Sequence, residues 1–214
     1  MKNILITGTS SWIWENLAKN FLKNWENIFW ISRKNFSREE KNFQQIFCDL
    51  KNFSEIEKNL ENFEENFFDW IILNAWIWYF ENFKTMKSEE IFEIIQINLL
   101  SNIFLVKYFL DKNLLKKSAK IIFIWSKASK KFSNNWAAYL ASKFWIRWFA
   151  WWINKDLWKK FWVHLINPKI VKTNFHKNSK IEIQWKFCET WLNEIFKTCE
   201  KIYKWEEKKF EIDL

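Results

Sequence analysis

Asn3-Ile4-Leu5-Ile6-Thr7-Gly8-Thr9-Ser10-Ser11-Trp12-Ile13-Trp14 is the stretch on which the fold turns. Asn3 to Thr7 is a short apolar run, suited to a strand buried on both faces. Helical spacing follows from about Trp14 to Lys23, so strand gives way to helix across one tight turn. Outward from there the same alternation repeats. Asn27 to Ile31 and Gln45 to Phe47 read as strands, and Ser54 with Glu57 as a capping box opening a helix to about Phe63. Phe68 to Leu73 is a strand, and Ser88 to Lys112 a long helix with Ile91, Ile94, Ile95, Leu99 and Phe104 near helical period. Lys120 to Ile124, Val163 to Ile166 and Phe210 to Leu214 complete the strands; Ala137 to Lys159 and Leu192 to Tyr203 complete the helices. Alternating strands and helices predict an α/β fold with a doubly wound parallel sheet. Residues 1–214 read as one domain without repeats. The irregular stretch from Lys172 to Thr190 is the candidate lid.

Composition sets two boundaries and poses one problem. The net charge is +9, but the lysines are scattered and no nucleic-acid module is present, so no nucleic-acid partner is expected. Cys48, Cys188 and Cys199 are too few for a disulfide framework or a zinc site, and His164 and His176 lack metal-ligand spacing, so no metal is expected. The chain has no uninterrupted run of 18 apolar residues and no signal-peptide pattern; the expectation is a reduced, cytoplasmic protein without a membrane span. The problem is 18 tryptophans beside a single glycine, Gly8. An ordinary chain carries about 7% glycine, roughly 15 at this length, because glycine alone takes positive φ at no steric cost. The simplest account is a source that reads the codon UGA as glycine, written out here as tryptophan.

The motifs test that account. With glycine at Trp12 and Trp14 the first turn becomes T-G-x-x-x-G-x-G after a strand and before a helix, where backbone amides approach a pyrophosphate. Tyr139-Leu140-Ala141-Ser142-Lys143 gives Y-x-x-x-K on a helix, and residues four apart share a face. Ser126 stands 13 residues before Tyr139 and follows a strand; Asn98 lies in the long helix; Asn74-Ala75-Trp76 follows the fourth strand.

Together with Asp49-Leu50 and Pro168-Lys169-Ile170-Val171-Lys172-Thr173, this series resembles the short-chain dehydrogenase/reductase family over nearly the whole chain. Trp12, Trp14, Trp25, Trp76 and Trp136 fall where that family usually has glycine. Lys169 and Leu73 depart from its pattern, and the chain is short after Thr173. The resemblance implies a Rossmann-type sheet of seven mostly parallel strands, order 3-2-1-4-5-6-7, with helices on both faces. It implies Tyr139 as general acid/base, Lys143 on the nicotinamide ribose, Ser126 on the substrate oxygen and Asn98 holding a relay water. Gly8, Ser10, Ser11, Trp12, Ile13 and Trp14 would line the phosphates, with Asn74, Ala75, Trp76, Pro168 and Val171 beside the cofactor. Asp49 and Leu50 would meet the adenine, and Thr173 the carboxamide.

The bottom-up chemistry agrees. A tyrosine near pKa 10 releases its proton reluctantly at neutrality, and a neighbouring ammonium favours the phenolate. Ser126 would stabilise charge developing on the oxygen. At the tip of the second strand stand Ile31-Ser32-Arg33-Lys34. Ser32 replaces the acid that would accept bonds from NAD, and Arg33 with Lys34 suits a 2′-phosphate, so NADP(H) is expected over NAD(H). Arg33 and Lys34 also read as a solvated loop. The expected substrate is a small carbonyl or alcohol, and the resemblance implies a homodimer or homotetramer. The alternative is a non-catalytic NADP(H) sensor or scaffold on the same fold.

Overall fold

Ile4, Leu5 and Ile6 are apolar in succession because both faces of their strand are covered. Ile4 and Ile6 point into one hydrophobic cluster and Leu5 into the other, as the twofold alternation of a strand requires. The computed structural model describes residues 1–8, 18, 20–23, 26–33, 40–79, 81–130, 136–168 and 189–214. Ser10, Ser11, Trp12, Ile13, Trp14, Lys34, Val171, Thr173 and the lid lie outside them.

The strands are β1 (Asn3–Thr7), β2 (Asn27–Ser32), β3 (Phe43–Phe47), β4 (Phe68–Leu73), β5 (Leu115–Ile124), β6 (Trp162–Asn167) and β7 (Glu211–Asp213). They form one seven-stranded sheet in the order β3-β2-β1-β4-β5-β6-β7, with every pairing parallel. The helices whose ends lie among the described residues are α1 (Phe53–Leu60), α2 (Ser88–Ile95), α3 (Ser101–Asp111), α4 (Ala137–Asp156) and α5 (Glu189–Tyr203); Ala18 and residues 20–23 are helical as well. A π-turn, Gln96–Leu100, joins α2 to α3, and a 3-10 turn, Lys127–Lys130, follows β5. Leu105, Phe109 and Ile146, from α3 and α4, pack on one face; Ala18, Phe21, Ile195 and Ile202 pack on the other. Order reverses between β1 and β4, and in open α/β sheets ligands bind outside the strand ends at that point.

The structure moves several element ends by one to three residues, and it departs from the sequence reading further in one cap, one strand start and the long helix. The cap of α1 is Asn52, whose side chain accepts from Glu55 N at 3.2 Å, not Ser54 with Glu57. β5 starts at Leu115, five residues early: Ser118 has φ 63 and the register with β4 shifts between Phe68 and Trp70, a bulge that hides the strand's polar start. The long helix is interrupted by the π-turn. The helical stretch Ser88–Asp111 is long and apolar enough to cross a membrane by composition. It buries Asn98, Ser101 and Asn102, and Leu105 and Phe109 pack in the core, the signature of an internal helix.

The edge of the sheet where the strands begin carries a buried cation. Lys120 Nζ donates to the carbonyl of Ile202 near the end of α5 and lies over the rings of Trp205 (3.8 Å) and Trp70 (5.1 Å). Burial, with a smaller push from the Lys2 charge, lowers its pKa to about 8. His164 is buried nearby, with Nδ1 2.9 Å from the Lys209 carbonyl.

Candidate active site

At the ends of β1 and β4 the chain comes as close to itself as backbone allows. Gly8 has φ +83, and a Cβ there would stand 2.4 Å from Ala75 Cα and 2.6 Å from Ala75 N. No side chain fits. The hydroxyl of Thr7 ties the same two strand ends: Oγ1 accepts from Asn74 N (3.1 Å) and Ala75 N (3.3 Å). Thr7 was readable as the first letter of the fingerprint, but its bracing of Asn74 and Ala75 was not. Asn74 is buried, and its Oδ1 has no hydrogen-bond partner among the described residues.

Asn98 sits in the π-turn, the wide helical turn that recurs at functional sites. Its amide closes a two-bond ring with one residue: Oδ1 accepts from Ile77 N at 2.7 Å and Nδ2 donates to Ile77 O at 2.8 Å. Nδ2 also donates to Ser142 Oγ at 3.0 Å. The side chain therefore fixes the segment after Asn74-Ala75-Trp76 and links it to α4. The sequence reading placed Asn98 but missed Ile77 and Ser142.

Ser126, Tyr139 and Lys143 meet at the end of β5. A hydrogen bond joins the side chains of Ser126 and Tyr139. Tyr139 is buried, and burial pushes its phenol above the ordinary value, with the Ser126 bond pulling weakly the other way. Lys143 Nζ lies 5.1 Å from the Tyr139 ring centroid, on the shared face expected of Y-x-x-x-K. Lys143 is fully buried, burial holds its pKa well below the ordinary value, and its Nζ has no hydrogen-bond partner among the described residues. The expected pull of an ammonium on the phenol is thus outweighed by desolvation of both groups.

Aromatic rings roof this cluster. Lys143 Nζ is 3.4 Å from the Trp125 ring centroid and 4.8 Å from that of Trp76. Trp76, Trp78 and Trp136 each stand about 6 Å from the Tyr139 ring, at 6.1, 6.0 and 5.9 Å.

The tip of β2 differs in character. Ser32 is buried, its hydroxyl accepting from Gln45 Nε2. The half-exposed Arg33 reaches Asp49 Oδ2 at 4.0 Å, and Lys51 Nζ reaches the same oxygen at 3.9 Å and Glu93 at 2.9 Å. Asp49 also does turn work, accepting from Lys51 N at 3.0 Å, while Leu50 is core. Pro168 accepts from Lys127 N at 3.1 Å, drawing the loop after Ser126 to the end of β6. No group of three or more His, Cys, Asp or Glu that could hold a metal occurs among the described residues.

The short chain dehydrogenase family profile matches residues 2–184. No curated protein matches the sequence. Among solved structures, a short chain dehydrogenase family protein from Francisella tularensis subsp. tularensis SCHU S4 is 25% identical, covering 100% of this chain and 86% of that one, TM-score 0.74. A short chain dehydrogenase from Burkholderia cenocepacia J2315, in complex with NADP, is 14% identical with 100% and 87% coverage and TM-score 0.83. One from Leptospira borgpetersenii serovar Hardjo-bovis, with bound NAD+, is 22% identical with 81% and 72% coverage and TM-score 0.72.

Proposed function

This chain belongs to the short-chain dehydrogenase family, and from that premise we propose that it is an NADP(H)-dependent oxidoreductase interconverting a small carbonyl and an alcohol. The observation that carries the reading is the convergence of Ser126, the buried Tyr139 and the buried Lys143, whose Nζ has no hydrogen-bond partner among the described residues. Their polar groups fit a nicotinamide dinucleotide. Lys143 Nζ and Asn74 Oδ1 are buried polar atoms wanting partners, and Gly8 leaves bare backbone where phosphates approach. When bound, the dinucleotide supplies or accepts the hydride. In reduction the Tyr139 phenol, kept protonated by burial, delivers its proton to the carbonyl oxygen; in oxidation it takes the proton back. Ser126 donates a hydrogen bond to that oxygen as charge develops. Lys143 would hold the ribose hydroxyls, and a charged amine there would steady the phenolate. Asn98, through Ile77, keeps the segment after β4 in place beside them.

The NADP(H) preference rests on the tip of β2. Ser32 puts no carboxylate at the end of β2 itself to repel a 2′-phosphate, and the half-exposed Arg33 guanidinium, 4.0 Å from Asp49 Oδ2, suits one. The competing reading, a non-catalytic NADP(H) sensor, draws on the rings covering Lys143.

Those rings motivate the companion proposal, that the natural polypeptide carries glycine at the 18 tryptophan positions. Trp205 has φ 62 at the residue closing a Schellman motif after α5, with Trp205 N bonded to Ile202 O (3.2 Å) and Glu206 N to Lys201 O (2.8 Å). That position favours glycine above all other residues. Trp145, Trp148, Trp152 and Trp158 are each more than half exposed, an unusual place for indoles. Trp76 and Trp125 crowd the ammonium that the ribose needs.

Peptide mass measurement on the native protein tests the composition; tryptophan at these positions rejects it. The function is tested in the full chain whose composition that measurement establishes. We expect NADPH oxidation with members of an aldehyde, ketone and 3-oxoacyl thioester panel. Tyr139→Phe should lower turnover about 10²–10⁴-fold with NADPH binding intact; turnover at the parent rate removes Tyr139 from the chemistry, and NADPH binding without turnover on any substrate favours the sensor. Arg33→Ala should weaken NADPH by about ten- to a hundredfold, a loss of roughly 1.5–3 kcal/mol, and NADH little; equal losses contradict the phosphate assignment.

A further inference from the structure

We propose that Glu211, in the C-terminal strand β7, is a positioning residue that holds the Ser126 loop and the Tyr139/Lys143 helix in mutual register. The inference rests on the catalytic reading above and extends it to a part of the chain that no motif marks.

Glu211 is engaged from three directions. Arg147 grips it in a fork, Nε to Oε1 at 3.0 Å and Nη2 to Oε2 at 3.1 Å. Lys130 Nζ approaches Oε1 at 2.8 Å, and Asn167 Nδ2 donates to Oε1 at 2.8 Å. Trp151 Nε1 is a distant fourth donor at 3.4 Å. Asp213, two residues on and on the same face, repeats part of the pattern, accepting from Lys130 (2.9 and 2.8 Å) and Asn167 (3.1 Å). Burial works to raise the Glu211 carboxyl, but the hydrogen bonds and charges of Arg147 and Lys130 prevail and hold it at about 2.

The donors' positions in the chain give this cluster its meaning. Arg147 is one helical turn beyond Lys143, which is one turn beyond Tyr139. Lys130 ends the 3-10 turn that begins immediately after Ser126. Asn167 immediately precedes Pro168 and is fully buried. Each donor thus extends a segment that carries a site residue. Main-chain bonds tie two of these segments together, Trp125 N to Ile166 O (2.7 Å) and Lys127 N to Pro168 O (3.1 Å). The α4 helix is drawn to them by the Glu211–Arg147 fork. Ser126 and Tyr139 come from different elements, yet both must address one substrate oxygen, where a displacement of about 1 Å costs on the order of a hundredfold in rate. A bidentate, partly buried carboxylate is the strong form of such a clamp, unlike an exposed single-contact pair.

The test compares Glu211→Gln with the parent chain in NADPH-dependent reduction of an accepted carbonyl. We expect kcat to fall about tenfold with NADPH affinity within about twofold, and the limb of the pH–rate profile set by Tyr139 to move; Glu211→Asp should recover part of the loss. A lowered melting temperature with kcat and pH profile unchanged overturns the proposal, since that is what a purely structural ion pair would do. If Glu211→Gln does not fold, Lys130→Met removes only the arm from the Ser126 loop and should give a smaller loss with the same split; an unchanged kcat there also overturns it. Amide exchange supplies a readout without substrate: in Glu211→Gln residues 126–130 and 139–147 should exchange faster while β1 and β4 do not, and uniform acceleration refutes the clamp. Tyr139→Phe run in parallel separates the failures, because full activity in that variant rejects the catalytic assignment whatever Glu211 does.

Discussion

Two lysines lie buried at opposite edges of the same sheet, and they are held in different ways. Lys120, where the strands begin, is 2% exposed and donates a hydrogen bond to the Ile202 carbonyl near the end of α5, where the helix dipole favours a cation. Lys143, where the strands end, is 0% exposed and has aromatic faces around it but no acceptor among the described residues. Both pay a desolvation cost; one recovers part of it within the protein, the other does not. A buried polar group with no partner in a native fold calls for an explanation, and a ligand hydroxyl is the one consistent with the family. On the proposed function, the edge where the strands begin is organised for cohesion and the edge where they end for an incoming molecule.

The sharpest way to break this contrast is Lys143→Met. Turnover should fall about 10²–10⁴-fold. The unliganded chain should become more stable, by about 1–3 kcal/mol, because an unsatisfied buried group has been removed. Melting curves with and without NADPH check both halves: the variant should melt higher alone and gain little from the cofactor, whereas the parent should gain about 2.7 kcal/mol at a hundredfold excess over Kd. A variant that melts lower and remains active would mean that Lys143 is a structural lysine like Lys120.

Lys120→Met is the reciprocal experiment and the milder one. At pH 10.5, where the penalty on the buried ammonium is gone, stability should drop by about 1–2 kcal/mol as the Ile202 carbonyl loses its donor, with turnover within about twofold of the parent. The smallest effect is in pH. Lys120 titrates near 8 in the fold against an ordinary 10.5, so between those values the unfolded chain binds more protons and stability rises with pH. Below about 8 the penalty of the buried ammonium is present in full. Denaturant midpoints measured from pH 8 to 10.5 should climb in the parent and stay flatter in Lys120→Met; parallel curves would show that Lys120 keeps an ordinary affinity for protons.

The contrast also explains what was legible beforehand. β1, β2 and β4 could be read because double burial writes itself as consecutive apolar residues. Tyr139 and Lys143 could be read because their relation is local, four residues along one helix. Relations closed by tertiary contact left no such mark. Glu211 and Arg147 are 64 residues apart, and each alone is an ordinary charge in a charged chain. The early start of β5 was masked by Lys116, Lys117 and Ser118, which look like a loop until the bulge is seen. The hydroxyl of Thr7 and the paired bonds from Asn98 to Ile77 are similarly invisible without the strand ends that they join.

The π-turn at Gln96–Leu100 has a consequence of its own. It resets the rotational phase of a long helix, so that its two halves answer to different neighbours. Before the turn, Glu93 meets Lys51 and Tyr79, and at its first residue Gln96 donates to the Lys51 carbonyl; after it, Leu105 and Phe109 settle into the core. An uninterrupted α-helix would carry one angular setting through all 24 residues. The widened turn instead acts as a coupling between two shafts, with Asn98 at the joint and each half free to be aimed by its own surroundings.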